Sequence, residues 1–193
     1  MKLVLVRHGE TEENVNHISQ GHLPGILTEK GKQQTKLAAE RFKDERFDAI
    51  YSSDLKRCKD LAEEIVKYHP ETPLFYDERL RERNHGMFAG WPNEKVHEYT
   101  KKHNIHWKDK VEGSESIKEV EDRVIDFFND IKKKNYNKVL FVTHGGPIIL
   151  LAIHLFGRNY FEWNKDHTCI YEIEIMNGKA KLITENCTKH LKK

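Results

Sequence analysis

Long apolar runs, an excess of charge of either sign and paired cysteines are all missing from this chain. No apolar stretch approaches the length needed to span a bilayer, which argues against a helical membrane protein. The opening Met1-Lys2-Leu3-Val4-Leu5-Val6 is broken by Arg7 after a few residues, too early for the core of a secretory signal. Basic and acidic residues nearly cancel, 33 against 31, so no long-range field attracts nucleic acid or a membrane surface, and any basic site has to be local. Lys132-Lys133-Lys134 and the tail lysines Lys189, Lys192 and Lys193 read as a solvated helix end and a frayed terminus. Three cysteines, Cys58, Cys169 and Cys187, form neither an even disulfide set nor a metal-spaced pair, which reads as reduced thiols in a cytoplasmic protein.

At 193 residues the chain suits one well-buried domain, read here as spanning residues 1–193. Short runs rich in Val, Ile, Tyr and Phe recur at residues 2–7, 48–52, 73–76, 138–143, 169–176 and 180–184. Helical patterns fall between most of them, from about Thr28 to Lys43, Asp54 to Tyr68, Pro92 to His103, Ser116 to Lys134 and Pro147 to Phe156. The alternation predicts an α/β fold with a mainly parallel sheet. Helix starts are signalled by Thr28, by Ser53, and by Ser116 with Glu119 as a capping box. Asn177-Gly178 is a hairpin signal that places the last two strands as an antiparallel pair near a sheet edge. From about residue 86 to 113 the chain carries glycines, a proline, two tryptophans and several histidines without a clear period, and is read as an insertion that covers the site.

The chemistry concentrates where two apolar runs end. Leu3-Val4-Leu5-Val6 delivers Arg7-His8-Gly9-Glu10-Thr11 and then Asn14, and Val139-Leu140-Phe141-Val142-Thr143 delivers His144-Gly145-Gly146. In an open α/β sheet, ligands collect at the carboxyl ends of neighbouring strands, so two strand-His-Gly endings point to one shared pocket rather than to two unrelated histidines. A neutral imidazole is a nucleophile, a guanidinium beside it matches a phosphate, and glycine lets backbone approach a ligand closely. Arg57 adds an independent hint: it falls in the first turn of the helix starting near Ser53, where a cation opposes the helix dipole unless an anion binds there. A salt bridge to Asp60 is the plainer reading of the same residue.

Taken together, these blocks resemble the histidine phosphatase superfamily, on the branch of phosphoglycerate-mutase-like small phosphatases. The match runs through Leu5-Val6-Arg7-His8-Gly9-Glu10-Thr11, Asn14, Gln20-Gly21, Leu27-Thr28-Glu29-Lys30-Gly31, Tyr51-Ser52-Ser53-Asp54-Leu55, Arg57, Leu80-Arg81-Glu82, Gly86, Gly90 and Thr143-His144-Gly145. The resemblance implies a three-layer α/β/α sandwich with an antiparallel edge. It implies a phosphomonoesterase with no metal and no cofactor, acting on a small phosphorylated metabolite. His8 would be the nucleophile, forming a phosphohistidine, and Arg7, Arg57 and His144 would clamp the phosphoryl oxygens. Asn14, Gln20, Gly21 and Gly145 would assist, and Glu82 would protonate the leaving oxygen, its pKa raised in a crowded anionic pocket.

Other polar residues carry less. Glu10 and Thr11 read as loop supports, Gly31 as a packing position, and His85 as a neighbour that shapes the pocket. His103 and His106 could share a helix face, yet no third metal ligand accompanies them. The chain departs from the family at Pro24-Gly25-Ile26, where an acidic residue and proline commonly precede Leu-Thr. Glu82-Arg83-Asn84-His85-Gly86 is close to the glycolytic mutases, so a phosphoglycerate mutase is the alternative within enzymes. Against it, no paired arginines lie between Trp91 and Gly113, only Lys95 stands as a displaced candidate for an expected lysine, and the segment from Glu82 to His144 is short. Water is thus the expected acceptor. A regulatory module that binds phosphorylated ligands is the alternative from another class, but it would have no need of the acid.

Overall fold

Six strands form one sheet in the computed structural model, which describes residues 1–192. They are β1 (Lys2–Arg7), β2 (Ala49–Ser52), β3 (Leu74–Tyr76), β4 (Lys138–Thr143), β5 (Ile170–Met176) and β6 (Lys179–Cys187), in the order β3-β2-β4-β1-β5-β6. The first four neighbours are parallel, and β5 and β6 continue the sheet as an antiparallel edge. Helices α1 (Glu12–Val15), α2 (Glu29–Phe42), α3 (Lys56–Val66), α4 (Asn93–Lys102), α5 (Ile117–Lys132) and α6 (Gly145–Phe156) complete the fold. Among the described residues, no helix is long and apolar enough to cross a membrane.

The central strands β1, β2 and β4 are near-continuous apolar runs because both faces are covered, and their side chains divide by the two-residue strand period. Leu3 and Leu5 of β1 and Val139 and Phe141 of β4 join α5 and α6 in one core. Val4, Val6, Leu140 and Val142 join α2 and α3 in the other, with Phe42, Leu61 and Ile65. A slip of one residue would exchange the two sets, so the register is tightly specified. That register puts Arg7 opposite Thr143. The next residues, His8 and His144, therefore emerge side by side.

Several boundaries differ from those read in the sequence, for local reasons. Helix α6 starts at Gly145 rather than Pro147, with His144 as its N-cap, because both glycines are accommodated in the first turn. Helix α3 starts at Lys56 with Leu55 at the cap and no side-chain cap bond, so Ser53 is not its N-cap. The Ser53 hydroxyl instead accepts from Leu55 N–H and meets His144. Thr28 and the Ser116–Glu119 capping box stand as the sequence indicated. At the Asn177-Gly178 turn both residues adopt positive φ, 51° and 74°, which matches the twist of the flanking strands.

The excursion after residue 85 contains a short 3-10 turn and α4. Phe88, Trp91 and Tyr99 pack edge to face, with ring centroids 5.5 to 5.8 Å apart. Backbone bonds from Asn93 to His17, from Ser19 to Trp91 and from Gly90 to Ser19 fasten it to the loop that follows α1.

Candidate active site

A cavity of about 840 Å³ opens at the carboxyl ends of β1 and β4. Its inner end carries Arg7, His8, Asn14, Arg57, Glu82 and Gly145, and its outer wall is built by α4 and the segment after it, through Val96, His97, Lys101 and Trp107. Gln20 and Gly21 line it as well. The sequence blocks separated by more than a hundred residues thus share one pocket.

His8 is 3% exposed. Its Nδ1 lies 2.7 Å from Gly9 O, and because a carbonyl only accepts, Nδ1 carries the proton. Burial, then the charges of Arg57 and Arg7, hold its pKa well below the ordinary histidine value. The imidazole is therefore neutral, with its lone pair on Nε2. Gly9 itself is needed for a different contact than the one expected: a Cβ there would press on Gly31 O and Thr35. A Cβ at Gly31 would in turn overlap the Glu10 carbonyl, which bears out its packing role. Glu10 ties Thr28 Oγ1 at 3.0 Å and Lys30 Nζ at 2.8 Å, and Thr11 caps α1, so both support the loop.

The two arginines are held differently. Arg7 Nη1 donates to Lys165 O, while Arg7 Nε is buried without a protein partner among the described residues. Arg57, 1% exposed, donates from Nη1 to Leu23 O at 2.6 Å, from Nη2 to Gly21 O at 2.9 Å and from Nε to His144 Nδ1 at 3.2 Å. Asp60 pairs with Lys56 instead, so the alternative reading of Arg57 is set aside.

His144 departs from the clamp expected of it. It is fully buried, its ring stands 5.1 Å from that of His8, and both ring nitrogens are engaged. Since Arg57 Nε can only donate, His144 Nδ1 accepts, and Nε2 carries the proton that goes to Ser53 Oγ at 2.9 Å. Burial, followed by Arg57, keeps it neutral. In this arrangement it orients Arg57 and backs His8.

Asn14 has a partner that the sequence reading missed. Its Oδ1 accepts from Thr11 N at 3.2 Å and from His167 Nε2 at 3.0 Å, which turns the amide Nδ2 away from both. His167 lies in the loop before β5, remote in sequence, and no spacing signal announces it. Burial, then Arg7, pushes its pKa down to about 4. Gln20 spends its side-chain bonds inside the loop, on Glu13 at 3.2 Å and Thr11 at 3.4 Å. Gly21 has φ +52°, and a Cβ there would press on His85 N.

Glu82 reverses the expected direction of its pKa. Burial raises it, but hydrogen bonds from Arg83 N at 2.9 Å and Gly146 N at 3.2 Å, with His85 and Arg57 nearby, outweigh that and leave the carboxyl below its usual range. Two backbone donors favour the charged form. The sequence could not show them. His85, whose pKa is lowered by burial, lines the cavity and meets Ser19 Oγ at 2.7 Å. His103 and His106 do not share a helix face: the first ends α4 and stacks 4.2 Å from Tyr99, and the second lies beyond the helix.

Two histidines and Arg7 at adjacent strand ends, joined by Arg57 from α3 and by a carboxylate in the same cavity, are groups that can carry phosphoryl transfer. Comparison with known proteins gives the family. The model of the histidine phosphatase superfamily (branch 1) matches residues 3–188, and the chain belongs to that family. It is 32% identical to phosphoserine phosphatase 1 of Hydrogenobacter thermophilus over 99% of this chain and 94% of that one. It is 38% identical to the metal-independent phosphoserine phosphatase of Arabidopsis thaliana over 80% of this chain and 67% of the relative. Among solved structures, Bacillus stearothermophilus YhfR superposes with a TM-score of 0.90 at 25% identity, covering 99% of both chains. The protein is accordingly a phosphomonoester hydrolase of the histidine type.

Proposed function

We propose that His8 Nε2 takes the phosphoryl group of a small phosphomonoester and that Glu82 protonates the oxygen that leaves. The observation that carries this is the tautomer of His8. Its proton is committed to Gly9 O, so the lone pair on Nε2 is the free one in a pocket of cationic donors. The N–P bond forms as the ester P–O bond breaks, with Arg7, Arg57 and Asn14 holding the equatorial oxygens. Water then attacks phosphorus, Glu82 takes its proton, and inorganic phosphate leaves a neutral His8.

Glu82 is a carboxylate in the free pocket, so its proton has to come with the substrate. A phosphate monoester has a second pKa near 6, and its anionic charge close to Glu82 raises the carboxyl's affinity for a proton. Binding and acid activation are thereby one event.

Arg7, Arg57, Arg83, Lys101 and Lys165 line the cavity, against Glu82 as the one carboxylate among the described lining residues. Such a wall favours a substrate with a second anionic group beside the phosphate, and phosphorylated amino acids, the class named in two of the relatives, meet that requirement. Acid quench with labelled substrate is expected to trap one acid-labile, alkali-stable phosphoryl group per chain, as a phosphoramidate behaves. Equal label in His8→Ala would refute the assignment.

A further inference from the structure

Arg123 has no place in the cavity, yet three of its five N–H donors are spent on backbone carbonyls of the segment that carries Glu82. Nη1 donates to Arg79 O at 2.7 Å and Arg81 O at 2.7 Å, and Nη2 donates to Glu82 O at 2.9 Å. The remaining donors bind Glu115, Nε to Oε1 at 2.8 Å and Nη2 to Oε2 at 3.0 Å. Glu115 Oε2 also accepts from Asn84 N at 2.8 Å, and Glu115 N donates to Asn84 O at 3.0 Å.

A plain structural ion pair needs only the carboxylate. Here three carbonyls of one turn converge on a single guanidinium, which a planar fork of five donors can hold and a point-charge ammonium cannot. Thr143 Oγ1 also donates to Leu80 O at 2.7 Å, and His22 Nε2 donates to Glu82 O at 2.7 Å. The backbone around Glu82 is thus held by three donor side chains, Arg123, His22 and Thr143, while its carboxylate is aimed by Arg83 N and Gly146 N.

We infer that Arg123, backed by Glu115, is a positioning residue for proton transfer: it fixes the backbone of Glu82 so that the carboxyl meets the leaving oxygen. The inference rests on Glu82 being the acid. It makes α5 part of the catalytic apparatus without touching substrate.

The test compares single-turnover phosphorylation of His8 by an alkyl phosphate and by p-nitrophenyl phosphate, whose leaving group hardly needs a proton. Arg123→Lys keeps the charge and loses the fork. Misplacement by about an ångström costs roughly a hundredfold, so the alkyl rate is expected to fall about ten- to a hundredfold. The aryl rate and the inhibition constant of inorganic phosphate are expected to stay within about threefold, a separation that a general loss of structure would not produce. Adding Arg123→Lys to Glu82→Gln should cost nothing further on the alkyl ester, because the acid is already gone. Glu115→Gln, which spares the carbonyl bonds, is expected to show a smaller loss with the same selectivity, and it carries the test should Arg123→Lys fail to fold. If Glu82→Gln is selective for the alkyl ester but Arg123→Lys and Glu115→Gln slow both esters alike, or add their full loss in the Glu82→Gln background, the inference is overturned alone. If Glu82→Gln itself slows both esters equally, the acid reading falls and the inference falls with it.

Discussion

The carboxylate of Glu82 lies directly over Gly146: Oε2 accepts the Gly146 N–H at 3.2 Å, and a Cβ at residue 146 would overlap Oε1. Glycine in the first turn of α6 is thus required by the approach of the acid.

Gly146→Ala should therefore separate stability from activity. Alanine favours a helix over glycine by about 1 kcal/mol, and the neighbour that must yield is the end of a flexible side chain. The melting temperature is expected to hold or rise by a few degrees, while turnover of an alkyl phosphate falls at least tenfold as the carboxylate swings aside. A variant with unchanged turnover would show that the carboxylate does not need its present place.

The buried histidines give stability a defined pH dependence. His167 is held at about 4 by burial, against about 6.5 in an unfolded chain. Between these values the unfolded state binds the extra proton, so the contribution is complete above pH 6.5 and is lost as the pH falls toward 4. At pH 5 a fully buried group would cost about 2 kcal/mol, and partial exposure reduces this to about 1. Urea denaturation at pH 7 and pH 5 is expected to show a smaller drop in His167→Gln than in the parent, by about that amount. An equal drop would place the acid sensitivity elsewhere, among His8, His22, His85, His144 and His190, whose pKa values burial also lowers.

In the proposed mechanism, charge stabilisation by Arg7 and Arg57 takes the place of what a divalent cation supplies in other phosphoryl-transfer sites. Activity is expected to survive EDTA undiminished. Loss on chelation with recovery on adding magnesium or zinc would contradict this and reopen the question of His103 and His106.

Which features are legible in the sequence follows from how each signal is carried. The strands preceding His8 and His144 are continuous apolar runs covered on both faces, so their ends, and the chemistry placed there, stood out. The Ser116–Glu119 capping box and the Asn177-Gly178 turn are equally local. Arg123, Glu115 and His167 act across long sequence separations through backbone carbonyls and one side-chain amide, which leave no pattern in the chain. The pKa direction of Glu82 is hidden from the sequence for the same reason, since two backbone N–H groups outweigh burial there. Ser53 has the right residue type for a cap, but tertiary contact with His144 claimed its hydroxyl.

Arg7 and Arg57 look equivalent in the sequence and are not equivalent in the fold. Arg57 donates to the carbonyls of Gly21 and Leu23 and to His144, so it ties the loop after α1 to the residue that follows β4 while it lines the cavity. The Arg7 guanidinium donates to one backbone carbonyl, Lys165 O, and its buried Nε has no partner among the described residues. A lysine at either place removes the fork that fits a phosphoryl group. Only at residue 57 does it also orphan buried carbonyls, each worth roughly 1 to 3 kcal/mol. Arg7→Lys is therefore expected to weaken inhibition by inorganic phosphate about tenfold or more with little change in urea midpoint. Arg57→Lys should weaken it comparably and lose at least about 2 kcal/mol of stability as well. Measuring both quantities on both variants decides the matter: equal stability losses would mean that the loop is anchored by something other than the Arg57 guanidinium.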